Sequence, residues 1–136
     1  MNLKIGFTGT KGGMSIPQQL ALSVILDGNL ERVVGWQFHD GDCVGADAEA
    51  HDIAAQLGYY LVGHPPLDDK LRAWRSYDEI RDPKEYLLRN LDIVKECDIL
   101  IAAPKSHTET LRSGTWSTVR RARELRVPVI LLERGR

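Results

Sequence analysis

Residues 3–13 read LKIGFTGTKGG, and this stretch decides the fold class. Residues 3–8 form an apolar run of strand length that enters a glycine-rich turn, Gly9-Thr10-Lys11-Gly12-Gly13. Helical periodicity follows at once. Ser15 is a candidate N-cap, and Pro17 falls in the first turn, where a missing N–H costs little. Ile16, Leu20 and Val24 share one face, with Gly28 as the expected stop. Strand, glycine turn and helix in that order open an α/β domain.

The same alternation runs outward to the end of the chain. Residues 33–38 (VVGWQF) read as a second strand, and Ala46, Ala50, Ile53, Ala54 and Leu57 as one helical stripe ending at Gly58. Residues 59–62 are a third strand. The stretch 64–82 has no clean period and holds Pro65, Pro66, Trp74 and Tyr77, so it is expected to be a lid-like loop segment. Asp82-Pro83-Lys84-Glu85 reads as a helix start, with Leu87, Leu91 and Val94 as its buried stripe. Residues 99–102 are a fourth strand. Residues 113–126 are a last helix with Val119, Ala122 and Leu125 inward, and 127–132 a fifth strand. Each parallel return needs a crossover, so this spacing predicts a three-layer, Rossmann-like α/β domain with a mainly parallel sheet of about five strands. No repeat or linker divides it, and residues 1–136 are read as a single domain.

The 18 Lys+Arg against 19 Asp+Glu give a formal net charge of -1, which counts against a strongly basic nucleic-acid binder but not against a local basic groove. With 43% hydrophobic and 27% charged residues the chain reads as a globule. It has no apolar run of the ~20 residues a membrane span needs, and it begins on a strand pattern instead of a signal peptide. Cys43 and Cys97 make no CxxC and no metal quartet, so a reduced cytoplasmic protein is expected.

In an open α/β sheet, ligands bind beyond the carboxyl ends of the strands. Three glycine-containing loops leave such ends and enter helices: residues 8–14, 39–47 (HDGDCVGAD) and 104–115, which ends RSGT. Glycine admits an anion close to the backbone, and helix N-termini offer unpaired N–H groups with a favourable dipole. A phosphate-bearing ligand is the leading expectation. Arg112-Ser113-Gly114-Thr115 sets a guanidinium beside hydroxyls and backbone donors, which suits a phosphate. Lys11 could neutralise a phosphate or be merely solvated. Asp40, Asp42 and Asp47 with His39 and His51 lack recognised metal-ligand spacing and also suit turns and caps, so no metal is expected there. Trp74 and Tyr77 could stack on a base or pin the long segment. The run Arg120, Arg121, Arg123 and Arg126 reads as a solvated face.

The succession GxKGG, GDCVGADAEAH, RNLDIVKECDILIAAP and RSGTWSTVRRA resembles the SLOG superfamily over nearly the whole chain. This superfamily holds Rossmann-like domains related to the Lonely guy (LOG) phosphoribohydrolases and to DNA-processing protein A (DprA). Within it, the chain is similar to small bacterial and phage SLOG proteins. Gly45 to His51 is similar to the GIDxxAH helix start of the DprA domain, and Arg89-Asn90 with Ser113-Gly114 to its RN and SG motifs. Arg89 and Asp98 keep the spacing of the LOG arginine to the aspartate that opens the fourth strand. Gly114-Thr115 matches part of the LOG PGGxGTxxE motif. Thr118 stands at its glutamate position, and a hydroxyl cannot serve as that carboxylate base.

The resemblance implies a nucleotide or nucleotide-derived ligand. Gly9, Thr10 and Lys11 would take one side of it, and the Gly41–Asp47 loop, with Asp42 and Gly45, the ribose or phosphate region. Arg89, Asn90, Arg112, Ser113, Gly114 and Thr115 would surround the phosphate. An N-glycosidase is the first alternative, with Asp47 or Glu49 replacing the missing glutamate and Arg89 steering the phosphate-sugar. DprA-like single-strand DNA binding is the second, and the charge balance disfavours it. No cofactor or membrane partner is expected, and the resemblance raises the expectation of a homodimer.

Overall fold

The computed structural model describes residues 2–27 and 34–135. Their elements in chain order are β1 (Lys4–Gly9), α1 (Ile16–Leu26), β2 (Gln37–Asp40), α2 (Ala46–Gln56), β3 (Tyr60–Gly63), a 3-10 turn (Asp69–Leu71), β4 (Glu79–Ile80), α3 (Tyr86–Glu96), β5 (Ile99–Ala103), α4 (Gly114–Glu124) and β6 (Val129–Leu131). The sheet order is β4-β3-β2-β1-β5-β6, and every pairing is parallel. The chain therefore winds outward from β1 in one direction, then returns to its other side with β5. The point where strand order reverses lies between β1 and β5.

Alternation along the strands sends side chains into two separate cores. Ile5, Phe7, Phe38 and Ile101 face α1 and α2, packing on Leu22, Leu26, Ala46, Ala50 and Ala54. Leu100 faces the other layer with Ile93, Val94, Cys97 and Ala122, and Ala102 packs there on Trp116 and Val119. The three layers and the parallel sheet are as the sequence predicts, with one strand more. That strand, β4, pairs Val62 with Glu79 and Gly63 with Ile80. Two residues carry no periodicity, so nothing in the sequence marks it.

β4 lies within residues 64–82, which are fastened to the body by backbone bonds from Ala73 to Asp42, Asp78 to Leu61 and Arg81 to Gly63. The helix after it begins later than the Asp82 cap predicts. Residues 82–84 are extended because Lys84 pairs with Pro65 and Leu67, and the Glu85 carboxylate caps α3 by accepting from the N–H of Leu87 (3.0 Å) and Leu88 (3.2 Å). Leu87 is consequently exposed, and Arg89, Ile93 and Val94 are buried. Leu125 is also exposed, while Val119 and Ala122 are buried.

The expected face of α1 is corrected. Ile16, Leu20 and Val24 are 68%, 63% and 75% exposed, and Gln18, Leu22 and Leu26 are buried instead. Both rows are apolar at i, i+4 spacing, so periodicity alone does not choose between them. Polar bonds choose. Ser15 and Gln18 form a reciprocal capping box, and the Gln18 amide donates to the carbonyls of Pro104 (3.0 Å) and Leu132 (3.1 Å). Gly28 and Val33 lie outside the described residues. Val34 and Gly35 form a turn, and β2 starts at Gln37.

Candidate functional site

The three glycine loops converge at the carboxyl ends of β1, β2 and β5, where they border a cleft of about 470 Å³. That volume is in the range of small-molecule sites. Thr10 knits the loops together, with its N–H on Ala103 O (3.2 Å) and its carbonyl accepting from Ala46 N–H (3.0 Å). Gly45 is the N-cap of α2 at φ +94, and a Cβ there would strike the Lys11 carbonyl. A side chain at this position would push the first two loops apart.

Of the expected residues, Gly9, Thr10, Lys11, Gly41, Asp47, Arg89, Asn90, Arg112, Ser113, Gly114 and Thr115 line the cleft. Asp42, Gly45 and Glu49 do not. Asp42 is buried behind it, accepting from Arg72 Nε (3.0 Å) and the Arg75 N–H (3.0 Å), so it anchors the 64–82 segment. Glu49 Oε1 accepts from the Met14 N–H at 2.6 Å and braces the first loop. Thr118, at the LOG glutamate position, donates its hydroxyl to Gly114 O (2.9 Å) within its own helix.

Ser113 caps α4, its Oγ accepting from the Trp116 N–H (3.2 Å). The N–H groups of the first turn, including those of Gly114 and Thr115, have no carbonyl four residues earlier in the helix to bind, and they lie at the cleft. The cleft also gains Lys105, Tyr86 and Trp116, none of them anticipated. Lys105 follows Pro104 at the end of β5 and Trp116 follows Gly114-Thr115, so their neighbours in sequence could have flagged both. Trp74 is exposed, with the Arg72 guanidinium 3.8 Å from its ring centroid, and Tyr77 donates its hydroxyl to Asp40 Oδ1. Neither aromatic ring lines the cleft; Tyr77 pins the segment to Asp40 and His51, whereas Trp74 stacks on Arg72 of the same segment.

Electrostatics distinguish this cleft. Its lining holds four cations, Lys11, Arg89, Lys105 and Arg112, against one carboxyl, Asp47. Arg89 is only 6% exposed, and its Nη1 donates to the carbonyls of Gly41 and His64, its Nη2 to Cys43 Sγ (3.4 Å). Its Nε has no hydrogen-bond partner, and among the described residues no carboxylate lies within ion-pair distance of it. Burial, reinforced by the charge of Asp40, pushes the Asp47 carboxyl up to about 7. Asp47 is therefore a weak counter-ion at neutral pH. Gly41 lets the two side chains approach, since a Cβ there would collide with the Arg89 guanidinium and stand 2.8 Å from Asp47 Oδ2. Burial also raises the Cys43 thiol, which opposes a nucleophilic role.

None of the arginines 120, 121, 123 and 126 lines the cleft; Arg120 pairs with Glu109 (2.9 Å) and braces the third loop through the carbonyls of Thr110 and Leu111, and Arg121 pairs with Glu124 (3.3 Å). Outside the cleft, His39, His64 and Glu96 bring three possible metal-ligand atoms within 4.8 Å of one another.

No protein-family model and no curated protein matches this chain. Solved structures do. A molybdenum cofactor binding protein from Rippkaea orientalis is 26% identical, with a TM-score of 0.71 over 96% of this chain and 76% of that one. The molybdenum cofactor carrier protein from Chlamydomonas reinhardtii is 21% identical, with a TM-score of 0.69 and the same coverage. DprA from Streptococcus pneumoniae is 21% identical with a TM-score of 0.70, and here the match covers 96% of this chain and 50% of that one. The chain has a Rossmann-like fold of the SLOG type, shared with these structures and consistent with the SLOG superfamily. Among the described residues, no helix is long and apolar enough to cross a membrane.

Proposed function

We propose that the cleft binds a nucleotide or nucleotide-derived small molecule, with its phosphate between Arg112, Lys11 and the N-terminus of α4. One observation carries this reading: Arg89 is a buried cation at the cleft wall, and among the described residues no carboxylate is in ion-pair range of it. A buried charge without its counter-ion costs several kcal/mol, and an anionic ligand offsets that cost. The exposed ring of Tyr86 at the rim and the edges of Pro66 and Leu71 offer apolar surface for a heterocycle. Two of the structural neighbours are named for binding or carrying the molybdenum cofactor, which supports a small-molecule ligand for this cleft as well.

Isothermal titration with nucleoside mono- and diphosphates, ADP-ribose and a pterin phosphate tests the reading. Binding by at least one member, weakened tenfold or more in Arg112→Ala, is expected. A folded wild type that takes up none of them refutes it.

Asp47 also favours a second reading, N-glycosidic cleavage. Among the described residues it is the one carboxyl lining the cleft, and its raised pKa suits a general acid or base near neutral pH. Glu49 and Thr118 are committed to backbone bonds, which leaves Asp47 as the catalytic residue of this scheme and Arg89 beside it. Release of free base from a nucleoside monophosphate, abolished in Asp47→Asn, would establish it. DprA-like single-stranded DNA binding draws no support from Arg120 and Arg121 of α4, which are paired with carboxylates.

A homodimer would act through α1. Its outer row of Ile16, Leu20 and Val24 is apolar, and the helix IPQQLALSVIL carries no charge to oppose a second copy of itself. Sedimentation of wild type against Leu20→Glu decides that point.

A further inference from the structure

We propose that His39 Nδ1, His64 Nε2 and Glu96 Oε2 form a site for a divalent transition metal of the zinc class, separate from the cleft. His39 lies in β2, and His64 directly follows β3, its N–H bonded to Asp40 O (2.9 Å). Two adjacent, hydrogen-bonded strands thus fix both imidazoles. Glu96 closes the group from the last position of α3.

The distances suit an ion. His39 Nδ1 lies 2.9 Å from His64 Nε2, and Glu96 Oε2 lies 3.7 Å from the same nitrogen. Bonds of ~2.0–2.1 Å in a tetrahedron set ligand atoms roughly 3.3 Å apart, so the two rings need to part by only a few tenths of an ångström. Two imidazoles and one carboxylate match the donor set of zinc-type sites, and a calcium or magnesium site would need more oxygens.

Neighbouring groups orient two of the three ligands, while His64 Nε2, which donates to His39 Nδ1 without an ion, passes its proton to its own Nδ1 or to water when one binds. Gln37 Oε1 lies 2.8 Å from His39 Nε2. With that oxygen accepting, the ring proton stays on Nε2 and the Nδ1 lone pair faces the site. Metal-bound histidines are oriented by bonds of this kind. Arg81 fixes the Glu96 carboxylate, its Nη2 donating to Oε1 at 2.7 Å and its Nε to Oε2 at 3.3 Å, and Oε2 still stands 3.7 Å from His64 Nε2 with lone-pair capacity for an ion. The Arg81 charge is in turn balanced by Glu79 at 2.9 Å. Burial holds both histidines down at about 4, so they are neutral at pH 7 and no imidazolium has to be discharged. The Glu96 side chain is 33% exposed, giving an ion a route in and a fourth position for water.

The competing account is a plain histidine pair sharing one proton. Tag-free protein, stripped with chelator and dialysed, should be titrated with Co2+ and Zn2+. One equivalent of Co2+ should produce the intense visible absorption of a tetrahedral nitrogen–oxygen site, Zn2+ should displace it, and Zn2+ should raise the Tm. Glu96→Gln leaves the buried residues in place and should weaken binding tenfold or more, with an unchanged circular dichroism spectrum. His64→Asn should abolish the cobalt spectrum. Absence of any cobalt band in folded wild type overturns the site, and so does binding by Glu96→Gln as tight as wild type. Neither result depends on whether the cleft binds a nucleotide.

Discussion

Replacing Asp47 by Asn should change how stability depends on pH, in a direction the structure specifies. The Asp47 carboxyl titrates at about 7 in the folded chain against 3.8 in the unfolded one, chiefly because burial disfavours its charge. Its folded pKa is raised, so its contribution is fully present below 3.8 and is lost as pH rises towards about 7. Through that window the unfolded chain releases a proton that the native chain keeps, which costs up to about 1.4 kcal/mol per pH unit. The whole loss is about 4 kcal/mol, of which roughly 3 kcal/mol falls between pH 5 and 8. Asparagine is neutral at every pH and can still accept from the Cys43 N–H through its oxygen, so it removes the titration while keeping the bond. Urea unfolding of both proteins, followed by tryptophan fluorescence at pH 5, 6, 7 and 8, reads the difference. Wild type should lose stability relative to Asp47→Asn by about 3 kcal/mol from pH 5 to 8. A gap that stays constant, or that moves in favour of wild type with rising pH, would mean that Asp47 is already an anion paired to Arg89. Arg89 would then carry its own counter-ion and would need no anionic ligand.

Three other substitutions probe the scaffold of the cleft. Gly41→Ala drives a methyl group into the Arg89 guanidinium and should cost about 2–4 kcal/mol in urea unfolding, as overpacking and displaced buried charge do. Gln18→Leu leaves the carbonyls of Pro104 and Leu132 without their shared donor, and a loss of about 2–3 kcal/mol is expected from the midpoint shift. Ser113→Ala removes the cap of α4, for about 1 kcal/mol of stability. It should also lower affinity for a phosphate ligand in titration calorimetry, because the first turn is less firmly held.

Much of this arrangement is legible in the residues. Strand-length apolar runs alternating with helical stripes lead to the three layers, and glycine before a helix start marks each loop of the cleft. What escapes the sequence depends on partners distant along the chain. The inward face of α1 is chosen by bonds from Gln18 to residues 86 and 114 positions away, while its two apolar rows look equivalent locally. Asp82 and Pro83 have the chemistry of a helix start, yet tertiary pairing of Lys84 with the 65–67 stretch holds them extended. Glu49 was as good a catalytic candidate as Asp47 on spacing. Only the fold shows that one faces the Met14 amide and the other the cleft. The histidine pair is equally hidden, since adjacency of β2 and β3 is what brings residues 39 and 64 together.

The placement of β1 has a consequence for synthesis. Ile5 is flanked by Phe38 on one side and by Ile99 on the other, partners that follow it by 33 and 94 residues. During translation the first neighbour emerges early and the second only when most of the chain has been made. Until then the inner strand of the finished sheet is an open edge bearing Ile5 and Phe7, a template for pairing with other nascent chains. Ribosomes stalled between residues 63 and 98 should therefore yield sticky, chaperone-dependent fragments, and release past β5 should yield soluble ones. The strand that organises the ligand loops is the first one made, yet its second edge stays open until residues 99–103 have emerged.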